Sequence, residues 1–246
     1  MSDVLAGVDL AWAPQKNGSA IALGELHEGN LSLTALHTGV IGLETVQNLL
    51  QQQTDLQGLA IDAPLIINNT HGARNCEQQL NAIYRSRWAG CHPSNLSLYP
   101  NAGSVTLAEH LQDHAFEHLG KPGEQKWQLE CYPHPSLIEL FSLTQRLAYK
   151  KGNVEQRKAG QAQLATHICT LQKNTRLSLT LAPVYDDIFN PQYIHSLRGQ
   201  ALKNNEDALD AVICLYIAGL YAVGQPMQVF GETRSGYIVV PAASDD

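Results

Sequence analysis

A mixed α/β sheet with the order βββαβ, surrounded by helices and carrying an insertion after the fourth strand, is the fold class this chain predicts. Three observations predict it. Apolar runs broken by the short turns Lys16-Asn17-Gly18 and His27-Glu28-Gly29-Asn30 read as an antiparallel meander. A helical repeat of Leu43, Val46, Leu49 and Leu50 then leads into a continuous apolar strand, which makes a crossover onto the sheet. Beyond it, residues 68–126 lose regularity and collect Gly, Pro, Ser and Asn, as a loop-rich insertion over a sheet edge would.

In order, Val4 to Trp12, Ser19 to Leu26 and Leu31 to Val40 are the first three strands, and Leu43 to Gln53 is the first helix. Leu59 to Leu65 is the fourth strand, stopped by Pro64. The insertion holds a helix from Arg74 to Arg87, a loop from Gly90 to Gly103, and a helix from Thr106 to Leu119. Trp127 to Tyr132 is a further strand, followed by helices over Pro135 to Leu147 and Val154 to Leu171. Asn204-Asn205 supplies a cap for a helix from about Glu206 to Val223. Tyr237 to Val240 is a last strand before an acidic end. No repeat or linker divides the chain, so residues 1–246 are read as a single domain.

Composition narrows the function classes. With 44% hydrophobic and 16% charged residues the chain can build an ordinary buried core. It has no apolar run of roughly 18 residues, which argues against a membrane-spanning helix, and no secretory signal is read at its start, so a cytoplasmic location is the expectation. Five cysteines without a CxxC pair read as free thiols rather than a disulfide framework or zinc knuckle. The net charge of −7 argues against a protein that coats nucleic acid by bulk charge. A carboxylate-rich active site remains compatible with it, because bound metal offsets such charge.

The chemistry lies in four acidic motifs: Gly7-Val8-Asp9, Ile61-Asp62-Ala63-Pro64, Leu129-Glu130-Cys131-Tyr132-Pro133 and Glu206-Asp207-Ala208-Leu209-Asp210. Carboxylates driven into apolar elements are costly unless they are paired or bind metal. Asp9 and Asp62 lie on strands that can be neighbours. Asp207 and Asp210, three apart, share one side of an apolar helix that must pack on the sheet. The expectation is a site for two Mg²⁺ or Mn²⁺ ions about 4 Å apart, with all-oxygen ligands from Asp9, Asp62, Asp207 and Asp210. Each acid also has an ordinary reading, as a turn former, a helix cap, or (Asp207) a partner of the helix dipole. Glu130 reads as a further ligand, a general base, or the partner of an arginine or lysine. His134 is either a proton carrier or a hydrogen-bonded loop residue. His110, His114 and His118 would form a stripe on one helix, read as a solvated face. Arg74, Tyr149, Lys150 and Arg157 are the candidate phosphate contacts, with a solvated charged face as the alternative.

At these residues the chain resembles the DUF429 family, described as predicted RNase H-like nucleases. The likeness is carried by Gly-Val-Asp9 with Trp12, by Ala-Ile-Asp62-Ala-Pro-Leu, by Arg74-Asn-Cys76 and by Leu-Glu130-Cys-Tyr132-Pro. It continues through Ala-Tyr149-Lys150-Lys151, Arg157-Lys-Ala-Gly160, Asp207-Ala-Leu-Asp210-Ala211 and Gly236-Tyr-Ile-Val-Val-Pro241. Glu77 stands where Asp is expected after Cys76. The Asp207–Asp210 segment also resembles the acidic helix of Holliday-junction resolvases. The resemblance implies an RNase H-like fold and hydrolysis of nucleic acid to a 3′-hydroxyl and a 5′-phosphate. Asp9, Asp62 and Asp210 would hold Mg²⁺ or Mn²⁺, Asp207 would assist, and Glu130 would orient water. The rival expectation is a catalytically inactive binding module on the same fold. A phosphotransferase is disfavoured because no glycine-rich phosphate loop follows Asp9.

Overall fold

The computed structural model describes residues 2–243, so the acidic end, residues 244–246, lies outside the described residues. The meander forms as expected, with β1 (Asp3–Asp9), β2 (Ser19–His27) and β3 (Asn30–Val40) pairing antiparallel in sequence. Helix α1 (Leu43–Gln51) then crosses to β4 (Leu56–Asp62), which lies parallel to β1. The insertion contains α2 (Asn75–Tyr84) and α3 (Gly103–Asp113), followed by the short strand β5 (Phe116–His118) and then β6 (Lys126–Glu130). Helices α4 (Pro133–Leu140) and α5 (Val154–Thr170) come next, then β7 (Ser178–Leu181), α6 (Asp186–Phe189), α7 (Pro191–Ser196) and the long α8 (Gly199–Ala222). The hairpin β8 (Met227–Glu232) and β9 (Gly236–Pro241) ends the fold.

The main sheet has seven strands in the order β5-β6-β4-β1-β2-β3-β7 and is mostly parallel outside the meander. One face buries Ala6, Val8, Ile21 and Leu59 against Val46 and Leu50 of α1 and Leu107 and Leu111 of α3. The other face is covered by α8, with Leu209, Val212, Ile213 and Tyr216 in a core shared with α5. Burial on both faces explains why β1 and β4 read as unbroken apolar runs rather than alternating ones. A third, smaller core packs α2 under the β8–β9 hairpin through Leu80, Tyr84, Phe230 and Ile238.

Gly7 sets the distance between α8 and the sheet. A Cβ there would lie 2.0 Å from the Leu215 nitrogen and 2.2 Å from the Ala211 carbonyl oxygen. Only glycine lets the helix backbone settle onto β1, and the contact falls beside Asp210 on the helix and two residues before Asp9 on the strand.

Several expected boundaries shift. Helix α8 begins at Gly199, not near Glu206, and Arg198 precedes it without a side-chain cap. Asn205 is buried and donates to Gln161 instead of capping. Asp207 therefore sits beyond the first turn, where the dipole argument does not reach. The helix expected to reach Leu119 ends at Asp113, and His118 lies on β5, hydrogen-bonded to Tyr237, so the histidine stripe reduces to His110 and His114. The helix expected to reach Leu147 stops at Leu140. Strands β5, β7 and β8, with α6 and α7, have no counterpart in the sequence reading.

Candidate metal centre

Parallel pairing creates the site. β1 and β4 run in register with Asp9 opposite Asp62, so both side chains leave the carboxyl ends of adjacent strands on the same face. That face is the one covered by α8, whose close approach over Gly7 brings in Asp210. One carboxylate oxygen each from Asp9, Asp62 and Asp210 lies within 4.8 Å of the others. The cluster opens on a cleft of about 740 Å³ lined also by Trp12, Lys16, Arg146, Lys151 and Lys203. Ligand clefts of open α/β sheets form in this position, beyond the carboxyl ends of the strands.

Asp210 is fully buried; its Oδ1 accepts a 2.6 Å hydrogen bond from the Tyr149 hydroxyl. Its Oδ2 lies 2.8 Å from Lys150 Nζ as an ion pair, yet accepts no aligned hydrogen bond. The same ammonium is 3.6 Å from Asp62 Oδ2. Burial raises the Asp9 carboxyl well above its usual range; Lys150 opposes this, and Asp210, Asp62 and Asp207 add to it. Asp62 is pushed up to about 6 by burial, against Lys150 and with Asp210. Burial alone would lower the Lys150 amine, but Asp210, Tyr149, Asp62 and Asp9 outweigh it and hold the ammonium protonated. Three carboxylates thus share one cation, and only Asp210 has a further partner, the Tyr149 hydroxyl.

The other expected residues are placed differently. Glu130 pairs in register with Ile61, one residue short of Asp62, so strand alternation turns it to the opposite face. There Arg74 grips it through Nη1 at 2.9 Å and Nη2 at 2.6 Å, and the Leu65 amide donates to it at 2.9 Å. Arg74 also donates from Nε to Glu77 and is itself buried, which makes it a structural cation and not a free phosphate fork. Asp207 is held by Lys203 four residues earlier on α8 and stays outside the three-carboxylate cluster. Arg157 pairs with Glu206 at 3.2 Å. Tyr149 is buried beneath Asp210, a support rather than a surface contact. His134 lies buried in the cleft wall with an unpartnered Nδ1, and burial together with Lys150, Arg146 and Lys151 keeps it neutral.

Two features went unread in the sequence. Trp12 is 54% exposed at the cleft and packs on Tyr99 of the insertion loop, with ring centroids 4.4 Å apart. The Cys131 thiol, at the end of β6, lies 3.4 Å from the Cys214 sulfur on α8, two free thiols tying the helix to the sheet. Neither pairing leaves a local signal, because each joins residues more than 80 positions apart.

The donor set suits a hard divalent cation. It is all oxygen, the Asp210 Oδ2 is buried without an aligned donor, and the Asp9 and Asp62 carboxyls are raised first by burial and further by their acidic neighbours, a cost that a bound cation would offset. A pH dependence follows. A carboxyl raised from 3.8 to about 6 on folding stabilises the metal-free protein below its ordinary value, and that contribution is lost as pH rises through about 6. For Asp62 alone the loss approaches about 3 kcal/mol. With chelator present the melting temperature is expected to fall between about pH 4 and 7, whereas saturating Mn²⁺ flattens or reverses that fall. Parallel thermal scans check this, and identical pH profiles with and without Mn²⁺ would refute it.

The fold and cluster define an α/β protein with a carboxylate centre at the ends of parallel strands. The DUF429 family, described as "Protein of unknown function", matches residues 7–234, and the chain belongs to it. Comparison with curated proteins and with solved structures gives no match. Among the described residues, no helix is long and apolar enough to cross a membrane.

Proposed function

We propose that the protein is a Mg²⁺- or Mn²⁺-dependent nuclease on an RNase H-like fold. The observation that carries this reading is the meeting of Asp9, Asp62 and Asp210 from β1, β4 and α8, with Asp9 and Asp62 lining the cleft and Asp210 buried against them. The meander, the crossover helix and the parallel fourth strand beside the first support the fold assignment. A bound divalent ion would supply activation of water and neutralisation of phosphate charge. The three carboxylates would hold it, and Tyr149 keeps Asp210 oriented through its hydroxyl. Lys16, Arg146 and Lys151 place positive charge around the cleft of a chain whose net charge is −7, which favours a phosphodiester over a neutral substrate. The exposed Trp12 ring offers an unpaired base a stacking face.

The test is incubation of the chain with end-labelled single- and double-stranded RNA and DNA, with Mn²⁺, Mg²⁺ or chelator. Metal-dependent cleavage leaving 5′-phosphate ends is expected. Lack of cleavage of every substrate, together with no Mn²⁺ binding, would sink the reading. The inactive binding module has one observation in its favour, the Lys150 ammonium already seated among the acids. It predicts nucleic-acid binding that is indifferent to chelator.

A further inference from the structure

Lys150 came out of the sequence as a phosphate contact, yet its ammonium lies inside the carboxylate cluster, 2.8 Å from Asp210 and 3.6 Å from Asp62. We propose that Lys150 is a built-in second cation, so that this centre binds one divalent ion rather than two. The inference rests on the nuclease reading of the same site and adds its ion stoichiometry.

Charge balance leads to it. Asp207 is already neutralised by Lys203, which leaves three carboxylates and one ammonium. A single divalent ion brings that set to neutrality; two would leave it with two uncompensated positive charges in a partly desolvated site. Confining excess charge of one sign there is unfavourable at any effective dielectric appropriate to a protein.

Lys150 is also held in place from behind. Its neighbour Tyr149 is fully buried and hydrogen-bonded to Asp210 at 2.6 Å. Helix α5 presses on this segment through Gly160, where a Cβ would lie 2.3 Å from the Ala148 carbonyl oxygen and 2.7 Å from the Tyr149 Cα. Two residues beyond Lys151, the α5 capping box closes reciprocally, Asn153 Oδ1 accepting from the Gln156 amide and Gln156 Oε1 accepting from the Asn153 amide, each at 2.9 Å. The backbone carrying Lys150 is therefore fixed at both ends. Its side chain remains one-quarter exposed and borders the cleft, where it faces a phosphate brought to the ion.

Mn²⁺ titration of the full chain, followed by electron paramagnetic resonance and calorimetry, tests the stoichiometry. Wild type is expected to bind one ion. Lys150→Met is expected to bind two, with spectral broadening from spins about 4 Å apart. Lys150→Arg, which keeps the charge, is expected to remain at one, and Asp9→Asn reports whether the signal belongs to this site. Two ions in wild type, or one in Lys150→Met, would overturn the role of Lys150 and leave the nuclease reading standing. No ion in wild type would overturn the nuclease reading itself. Thermal melts of each variant establish that the bound protein is folded.

Discussion

Asp9→Asn is expected to abolish metal-dependent cleavage and Mn²⁺ binding while leaving the metal-free protein at least as stable as wild type. The two effects have one cause. Asp9 is held well above the usual carboxylate range by burial and by Asp210, Asp62 and Asp207, with only the shared Lys150 opposing. Replacing it with the isosteric amide removes that repulsion, so the melting temperature at pH 7.5 in chelator should hold or rise. The same change removes one of three candidate ligands. Loss of metal assistance forfeits several kcal/mol of transition-state stabilisation, so the rate should fall by about 10³-fold or more. A structural carboxylate behaves the other way, because its removal destabilises and leaves activity in the folded fraction. Wild-type rates in a folded Asp9→Asn protein would exclude the carboxylate centre as the site of chemistry. The comparison requires the activity assay and the melting curve on the same preparation.

What made Asp9, Asp62 and Asp210 legible was their setting. Each interrupts an apolar element that must be buried, and a charge in such a place needs a partner or a ligand. The turns Asn17-Gly18 and Glu28-Gly29 likewise announced the meander locally. Glu130 reads from the sequence as a ligand, a base or the partner of an arginine or lysine, and the choice among these depends on register. The sequence shows a strand ending in glutamate but not that Glu130 faces Ile61 instead of Asp62. Nor does it show that Arg74, 56 positions away, closes on it. The strands β5 and β7, of three and four residues, are too short to develop a period, and each is held by parallel pairing to one neighbour. The start of α8 was misplaced because Asn204-Asn205 has the composition of a cap, whereas tertiary burial of Leu202 and Asn205 prolongs the helix upstream. Local chemistry thus marked which residues were unusual, and long-range pairing decided what each of them meets.

Arg74→Met carries the second large effect, on stability instead of catalysis. The Arg74 guanidinium joins Glu130 at the end of β6, Glu77 in the first turn of α2, and the Ile66 carbonyl in the loop after β4. Glu77 in turn accepts from the Ser94 amide, so the node ties the insertion to the sheet beside the carboxylate cluster. Both ion pairs are almost wholly shielded from water, their side chains 1–4% exposed. Removing the arginine strands two buried carboxylates, and breaking such a pair costs about 3–5 kcal/mol. For a chain of this size that corresponds to a fall of about 6–20 °C in melting temperature. Glu130→Gln combined with Arg74→Met should lose less than the sum of the single changes, since the double variant leaves one fewer charge uncompensated. Folded Arg74→Met protein at low temperature should still bind Mn²⁺, because Arg74 borders the same cleft but is not among the three clustered carboxylates or paired with them. A variant with an unchanged melting temperature but weakened nucleic-acid binding would reverse this assignment and return Arg74 to the phosphate contacts.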